Sequence, residues 1–199
     1  MFVAMDAETL RTFLAIEIVE RIKEEVVPFA DKLESACPEF RFIPPENWHL
    51  TLHFLGEVRA QKLEMLKSRI PKTLLKTRSF SIFLEGFGVF PNYEQPHILW
   101  IGIGGELPPL LGLQTALGQL LRQLRFEVEK RAFHPHITIA RVKKAVTSAQ
   151  IASLKSSLEI LRFRSSGDMR ISSVALFRSD LASQGARYYR IADFSFQAV

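Results

Sequence analysis

His49-Leu50-Thr51-Leu52 recurs 87 residues later as His136-Ile137-Thr138-Ile139, and both copies read histidine, aliphatic, threonine, aliphatic. In an extended strand residues i and i+2 share a face, so each copy sets its histidine and threonine on one side and its aliphatic pair on the other. With 5 His and 8 Thr in 199 positions, chance supplies about 0.2 His-x-Thr triplets, so two at repeat-equivalent positions stand well above noise.

The elements around the two copies repeat in the same order. Arg11 to Ile18 reads as a strand, and Val19 to Ser35 as a helix with Ile22, Val26, Phe29 and Leu33 on one face. Pro44-Pro45 breaks the chain before a strand at Trp48 to Leu55, ended by Gly56; a helix at Ala60 to Leu75 and a strand at Ser79 to Val89 follow. The second round is a strand at His97 to Ile103, a helix at Leu110 to Leu124, a strand at His136 to Val142, a helix at Ser148 to Leu161 and a strand at Met169 to Phe177. Leu14 plus 87 is Ile101, so the register holds beyond the two motifs. A single domain over residues 1–199 is expected, with repeats at about 11–90 and 97–178 and a closing strand at 187–196. Two fused units pack most simply about a pseudo-twofold axis, which would set equivalent residues face to face across a cleft.

Composition narrows the class. The chain is 47% hydrophobic and 24% charged, the balance of an ordinary globular protein, which excludes disordered, collagen-like and coiled-coil architectures. One cysteine, Cys37, allows neither an internal disulfide nor a Cys-rich zinc site. No window approaches the ~18 apolar residues of a membrane span, and no secretory leader opens the chain, so a cytoplasmic protein without a membrane partner is expected. Residues 1–94 hold 12 Lys+Arg against 14 Asp+Glu, and residues 95–199 hold 14 against 7, so the second half is basic and suits a phosphate-bearing partner. Gly102-Ile103-Gly104-Gly105 follows a strand but lacks dinucleotide or P-loop spacing, and no cofactor is expected.

Two imidazoles with pKa near ~6.5 suit paired acid-base catalysis, one ring accepting a proton while the other donates one. Threonine hydroxyls two residues away can donate to the oxygens of an anion, and a phosphodiester has enough oxygens for both. A cyclic phosphodiester opened by water fits this constellation, with either histidine able to take either part. The competing readings are satisfied core histidines and a metal site. His134 with His136, and His49 with His53, offer ligand-like spacings, but no convergent carboxylate accompanies them and the His49–His53 spacing suits a helix, so no metal is expected. Arg131 and Arg141 flank the second motif as candidate phosphate clamps, although strict alternation turns Arg141 away from His136. Phe54, Trp48 and Phe133 are candidate base-stacking rings. Lys143, Lys144, Arg162 and Arg164 are candidates for tracking a nucleic-acid backbone.

The doubled motif, with Leu99-Trp100-Ile101-Gly102, Arg131-Ala132-Phe133-His134-Pro135-His136 and Ser179-Asp180-Leu181…Gly185…Tyr188, resembles the two-histidine (2H) phosphoesterases, and among them the RNA 2′,3′-cyclic phosphodiesterases also called LigT-like or 2′-5′ RNA ligases. The resemblance runs from Arg11 to the last strand, with about ten residues ahead of Arg11 as an extension. It implies a bilobal α+β fold with two antiparallel sheets around a central cleft. It also implies metal-independent hydrolysis of RNA or nucleotide 2′,3′-cyclic phosphates to 2′-phosphomonoesters, and in some members reversible 2′-5′ joining; a monomer acting on RNA ends or oligonucleotides is expected. His49 is then the proton donor and His136 the proton acceptor, with Thr51 and Thr138 beside them. A binding module that keeps the cleft without turnover is the alternative.

Overall fold

Nine strands and four helices follow one another along residues 9–182 and 185–196, the part of the chain that the computed structural model describes. Residues 1–8, most of the extension ahead of Arg11, lie outside the described residues. The order is β1 (Thr9–Glu17), α1 (Glu20–Ala36), β2 (Phe40–Phe42), β3 (His49–Arg59), α2 (Ala60–Leu74), β4 (Phe80–Phe90), β5 (Ile98–Gly105), α3 (Leu107–Gln123), β6 (His136–Val142), α4 (Ser148–Ile160), β7 (Met169–Ile171), β8 (Ser173–Ala182) and β9 (Gly185–Ser195). The periodicity did not reveal β2. The strand expected at Met169 to Phe177 divides at Ser172, because its two parts serve different neighbours: β7 pairs with β4, and β8 with β1.

Two separate sheets were expected; the strands instead form one antiparallel sheet in the order β7-β4-β5-β6-β3-β1-β8-β9, with β2 also on β6. The correction has a physical cause. Two half-sheets side by side would each leave an unpaired inner edge, and β3 and β6 close those edges against each other through Leu50 and Ile137. The motif strands are therefore antiparallel neighbours in one strongly curled sheet rather than walls facing across a gap.

One face of the sheet is covered by the helices. Leu50, Leu52, Ile137 and Ile139 enter the main core together with Ile22, Val26 and Leu33 of α1, Leu63, Leu66 and Ile70 of α2, Leu113 and Leu117 of α3, and Leu154 of α4. A separate small cluster of Phe13, Ala15, Ala175 and Phe177 lies apart from that core. The alternation inferred from the motifs holds: Leu50, Leu52, Ile137 and Ile139 are buried, while His49, Thr51, His136 and Thr138 are half-buried.

The alternation then breaks at matched places. Against β1 the register slips so that Leu14 faces His53 and Ala15 faces Thr51, leaving Leu52 as the extra residue of a β-bulge. Against β5 it slips so that Leu99 faces Ala140 and Trp100 faces Thr138, leaving Ile139 extra. Leu52 and Ile139 are 87 apart, so the bulge is duplicated along with the motif.

Candidate active site

From Leu50 opposite Ile137, antiparallel register sets His49 across from Thr138 and Thr51 across from His136. The four polar side chains meet on the face opposite the helices, each histidine beside the other motif's threonine. Both rings are held the same way. His49 Nδ1 lies 2.7 Å from the Asn47 carbonyl and His136 Nδ1 2.6 Å from the His134 carbonyl. A carbonyl only accepts, so Nδ1 carries the hydrogen in each ring and Nε2 is left for chemistry, a lone pair when the ring is neutral and a proton when it is charged.

Each imidazole also rests on aromatic rings. His49 stacks on Phe13 at 4.7 Å between centroids, Phe13 stacks on Phe177 at 5.2 Å, and Tyr188 meets His49 edge-on at 5.0 Å. His136 meets Phe90 edge-on at 4.9 Å and Trp100 at 6.3 Å, and Phe90 and Trp100 are 5.1 Å apart. Phe13 plus 87 is Trp100, and Phe90 plus 87 is Phe177. Sequence reasoning missed these supports, although the repeat spacing that found the histidines also points to them. In each cradle one ring comes from the histidine's own unit and the other from the third strand of the opposite unit. Trp100 stands directly opposite Gly88, where a Cβ would come within 2.2 Å of the indole, so only glycine leaves room for the larger ring.

Burial, the largest influence, pushes the His49 pKa down to about 4; the Asn47 carbonyl opposes this, and the charges of Arg141 and His136 lower it further. His136 is lowered too, first by burial, against the pull of the His134 carbonyl, with His134 and Arg141 adding to the fall. Arg141 therefore lies close enough to act on both imidazoles. Strict alternation would have turned it away; the extra residue Ile139 reverses the parity, and Arg141 joins the face that carries His136 and Thr138. Phe54 is turned by the Leu52 bulge in the same way, standing 66% exposed and 6.2 Å from Phe13.

The other candidates are placed elsewhere. Trp48 is a core residue, its indole nitrogen donating to the Ile43 carbonyl at 2.8 Å. Phe133 is half-buried against the main core. Arg131 is exposed on the irregular approach to β6, its amide donating to Glu129 Oε1 at 3.2 Å. Lys143 reaches back to the Pro38 carbonyl at 3.4 Å, and Arg164 lies over the Phe83 ring at 4.0 Å. His53 follows the bulge to the helical face, buried, its Nε2 2.8 Å from the Gln114 carbonyl of α3, so it does not share a ligand set with His49. Beside His49 a cavity of about 220 Å³ opens among Lys23, Asn47, Phe177, Tyr188 and the ion pair of Glu17 with Arg190 at 2.6 Å.

One antiparallel sheet with helices on one face and two His-x-Thr strands joined on the other defines a two-histidine phosphoesterase architecture. The chain matches the family described as LigT like Phosphoesterase over residues 16–100 and 105–188, one motif in each stretch, and it belongs to that family. It is similar to the RNA 2′,3′-cyclic phosphodiesterase of Methanothermobacter thermautotrophicus, 34% identical over 180 residues that cover 90% of this chain and 95% of that protein. The protein of the same name from Archaeoglobus fulgidus is 33% identical over 179 residues, 90% of this chain and 96% of its own. Among solved structures, E. coli LigT complexed with 3′-AMP superposes with a TM-score of 0.76 at 25% identity, over 96% of this chain and 100% of that one. No helix among the described residues is long and apolar enough to cross a membrane.

Proposed function

We propose that the protein hydrolyses RNA 2′,3′-cyclic phosphate ends to 2′-phosphomonoesters without a metal. The observation that carries this is the pair of histidines pinned alike through Nδ1, which leaves two Nε2 atoms for one substrate beside Thr51, Thr138 and Arg141. Membership of the LigT-like family and the names of its relatives support the substrate class.

The cyclic phosphate enters with its non-bridging oxygens toward the threonine hydroxyls and the Arg141 guanidinium. Its negative charge raises the affinity of both imidazoles for protons, opposing the burial and the Arg141 charge that keep them neutral in the free protein. His136 Nε2 takes a proton from water as the water oxygen bonds to phosphorus. The bond from phosphorus to the 3′ oxygen breaks, and that oxygen takes the proton from His49 Nε2. The product is a 2′-phosphate and a 3′-hydroxyl, with the proton borne by His136 in place of His49. With a 5′-hydroxyl of a second RNA in place of water, the same steps leave a 2′-5′ linkage.

The test is to incubate the protein, in EDTA, with an oligonucleotide ending in a 2′,3′-cyclic phosphate and follow the product by phosphorus NMR. A 2′-phosphate is expected from the wild type, and a rate reduced ~10²- to 10⁴-fold in His49→Ala or His136→Ala. Full activity in either variant would falsify the two-histidine mechanism. Binding of the RNA end without conversion would make the protein a binding module instead.

A further inference from the structure

We propose that Arg41 and Arg141 form a second phosphate subsite, which receives the 5′-phosphate of the terminal nucleotide while the cyclic phosphate lies between the histidines. Resting on the phosphodiesterase reading above, this makes an RNA end with at least one internucleotide phosphate the preferred substrate over a bare nucleoside cyclic phosphate.

The two arginines stand directly opposite one another on β2 and β6. Opposed residues on antiparallel strands point to the same face with Cβ atoms about 4.5–5.5 Å apart, and like charges at such a pair are unfavourable. Among the described residues neither guanidinium has an acidic partner within salt-bridge distance. Glu39, the nearest acid along the chain to Arg41, is buried, and its carboxylate accepts from the Gln150 amide at 3.4 Å. Both arginines are exposed. A phosphate beside them would relieve the repulsion; Arg41 would hold it by charge-assisted hydrogen bonds, and Arg141, with five N–H donors, would turn one edge to it and the other to the cyclic phosphate.

The location decides which phosphate. Arg141 stands three residues beyond Thr138 on the same face of β6. Arg41 stands beside it, about 4.8 Å away in the pairing direction, on β2, which takes up the β3 side of β6 beyond the Leu50–Ile137 pair, so both arginines lie displaced along the strands from the reacting group. The row continues through Ile98 to Phe90, which supports His136. The other end of the site differs: Arg141 minus 87 is Phe54, and Arg41 plus 87 is Val128, outside any strand. The duplicated site is thus cationic at the β2 end and aromatic at the Phe54 end, a polarity that a chain with a base at one side and a phosphate at the other can follow.

The experiment compares kcat/KM for adenosine 2′,3′-cyclic phosphate and for the same compound carrying a 5′-phosphate, in wild type, Arg41→Gln and Arg41→Lys. The wild type is expected to favour the 5′-phosphorylated compound about tenfold or more, the scale of a charge-assisted contact. Arg41→Gln should erase that preference mainly by lowering the phosphorylated substrate's value, and Arg41→Lys should keep part of it. On a dinucleotide the slope of log kcat/KM against log salt should fall by about 1 in Arg41→Gln. Equal effects on both substrates, or no effect on either, overturn the subsite, as does a wild type that does not discriminate. Should the wild type turn over neither compound nor an oligonucleotide, the phosphodiesterase reading itself fails. Circular dichroism of both variants separates a folding loss from these outcomes, and the Lys variant still decides if the Gln variant unfolds.

Discussion

His49 and His136 differ little in how they are held, so their roles must be separated by chemistry. A proton donor is needed only when the departing atom is a poor leaving group. Replacing the bridging 3′ oxygen by sulfur makes the leaving group a thiolate, which departs without a proton. His49→Ala should therefore recover most of its lost rate on the 3′-sulfur substrate and His136→Ala should not; the opposite pattern would exchange the two roles. The same burial bears on stability. An unfolded histidine takes a proton near pH ~6.5, whereas folded His49 resists it down to about 4, so the unfolded chain binds more protons in between and the fold weakens as pH falls through that window. At pH 5 this one group costs up to about 2 kcal/mol, with His136 and His53 acting in the same direction. The urea midpoint should fall from pH 7 to pH 5, and less so in His49→Gln. An unchanged pH dependence in that variant would remove His49 from the account.

Strands set the geometry that single residues use. The facing of β3 and β6 up to the motif threonines was legible from alternation alone, because period two assigns faces without knowing the neighbours. Arg141 and Phe54 were not, since a bulge is fixed by register against β5 and β1, which one strand's sequence does not contain. For the same reason β2, three residues paired only to β6, left no periodic trace. Expecting two sheets failed at a similar point: whether β3 and β6 end as edges or as partners is a tertiary outcome. The pairing of β4 with β5 shows how tightly this level constrains the site. In Gly88→Ala the new methyl would collide with Trp100, so the indole must shift away from Phe90 and His136. A stability loss of about 1–3 kcal/mol is expected together with a lower kcat. Adding Trp100→Phe should restore much of both by making room; a double variant no better than Gly88→Ala would show that the glycine serves something other than the indole.

Across the whole molecule the duplicated units do not remain separate bodies. The third strand of the first unit, β4, pairs with β5 of the second, and β8 of the second pairs with β1 of the first. The direct seam between β3 and β6 is a single residue pair, so this exchange, together with the shared core beneath the sheet, ties the halves more firmly than the central pairing does. Neither half can lose its strands without exposing the other's edge and uncovering one ring beside the other's histidine. Unfolding should accordingly be one transition. Trp48 lies in the core of the first unit, whereas Trp100 of the second unit packs on Gly88 and Phe90 of the first, so the two rings report one half and the seam between the halves. In Trp100→Phe the fluorescence follows the first half, and in Trp48→Phe the seam. Within each variant the urea midpoint by fluorescence should coincide with that by far-ultraviolet circular dichroism. Separate midpoints, with one half melting while the circular dichroism signal of the other persists, would mean that the exchanged strands do not couple the units, and the paired cradles would then have to be explained as two independently stable sites.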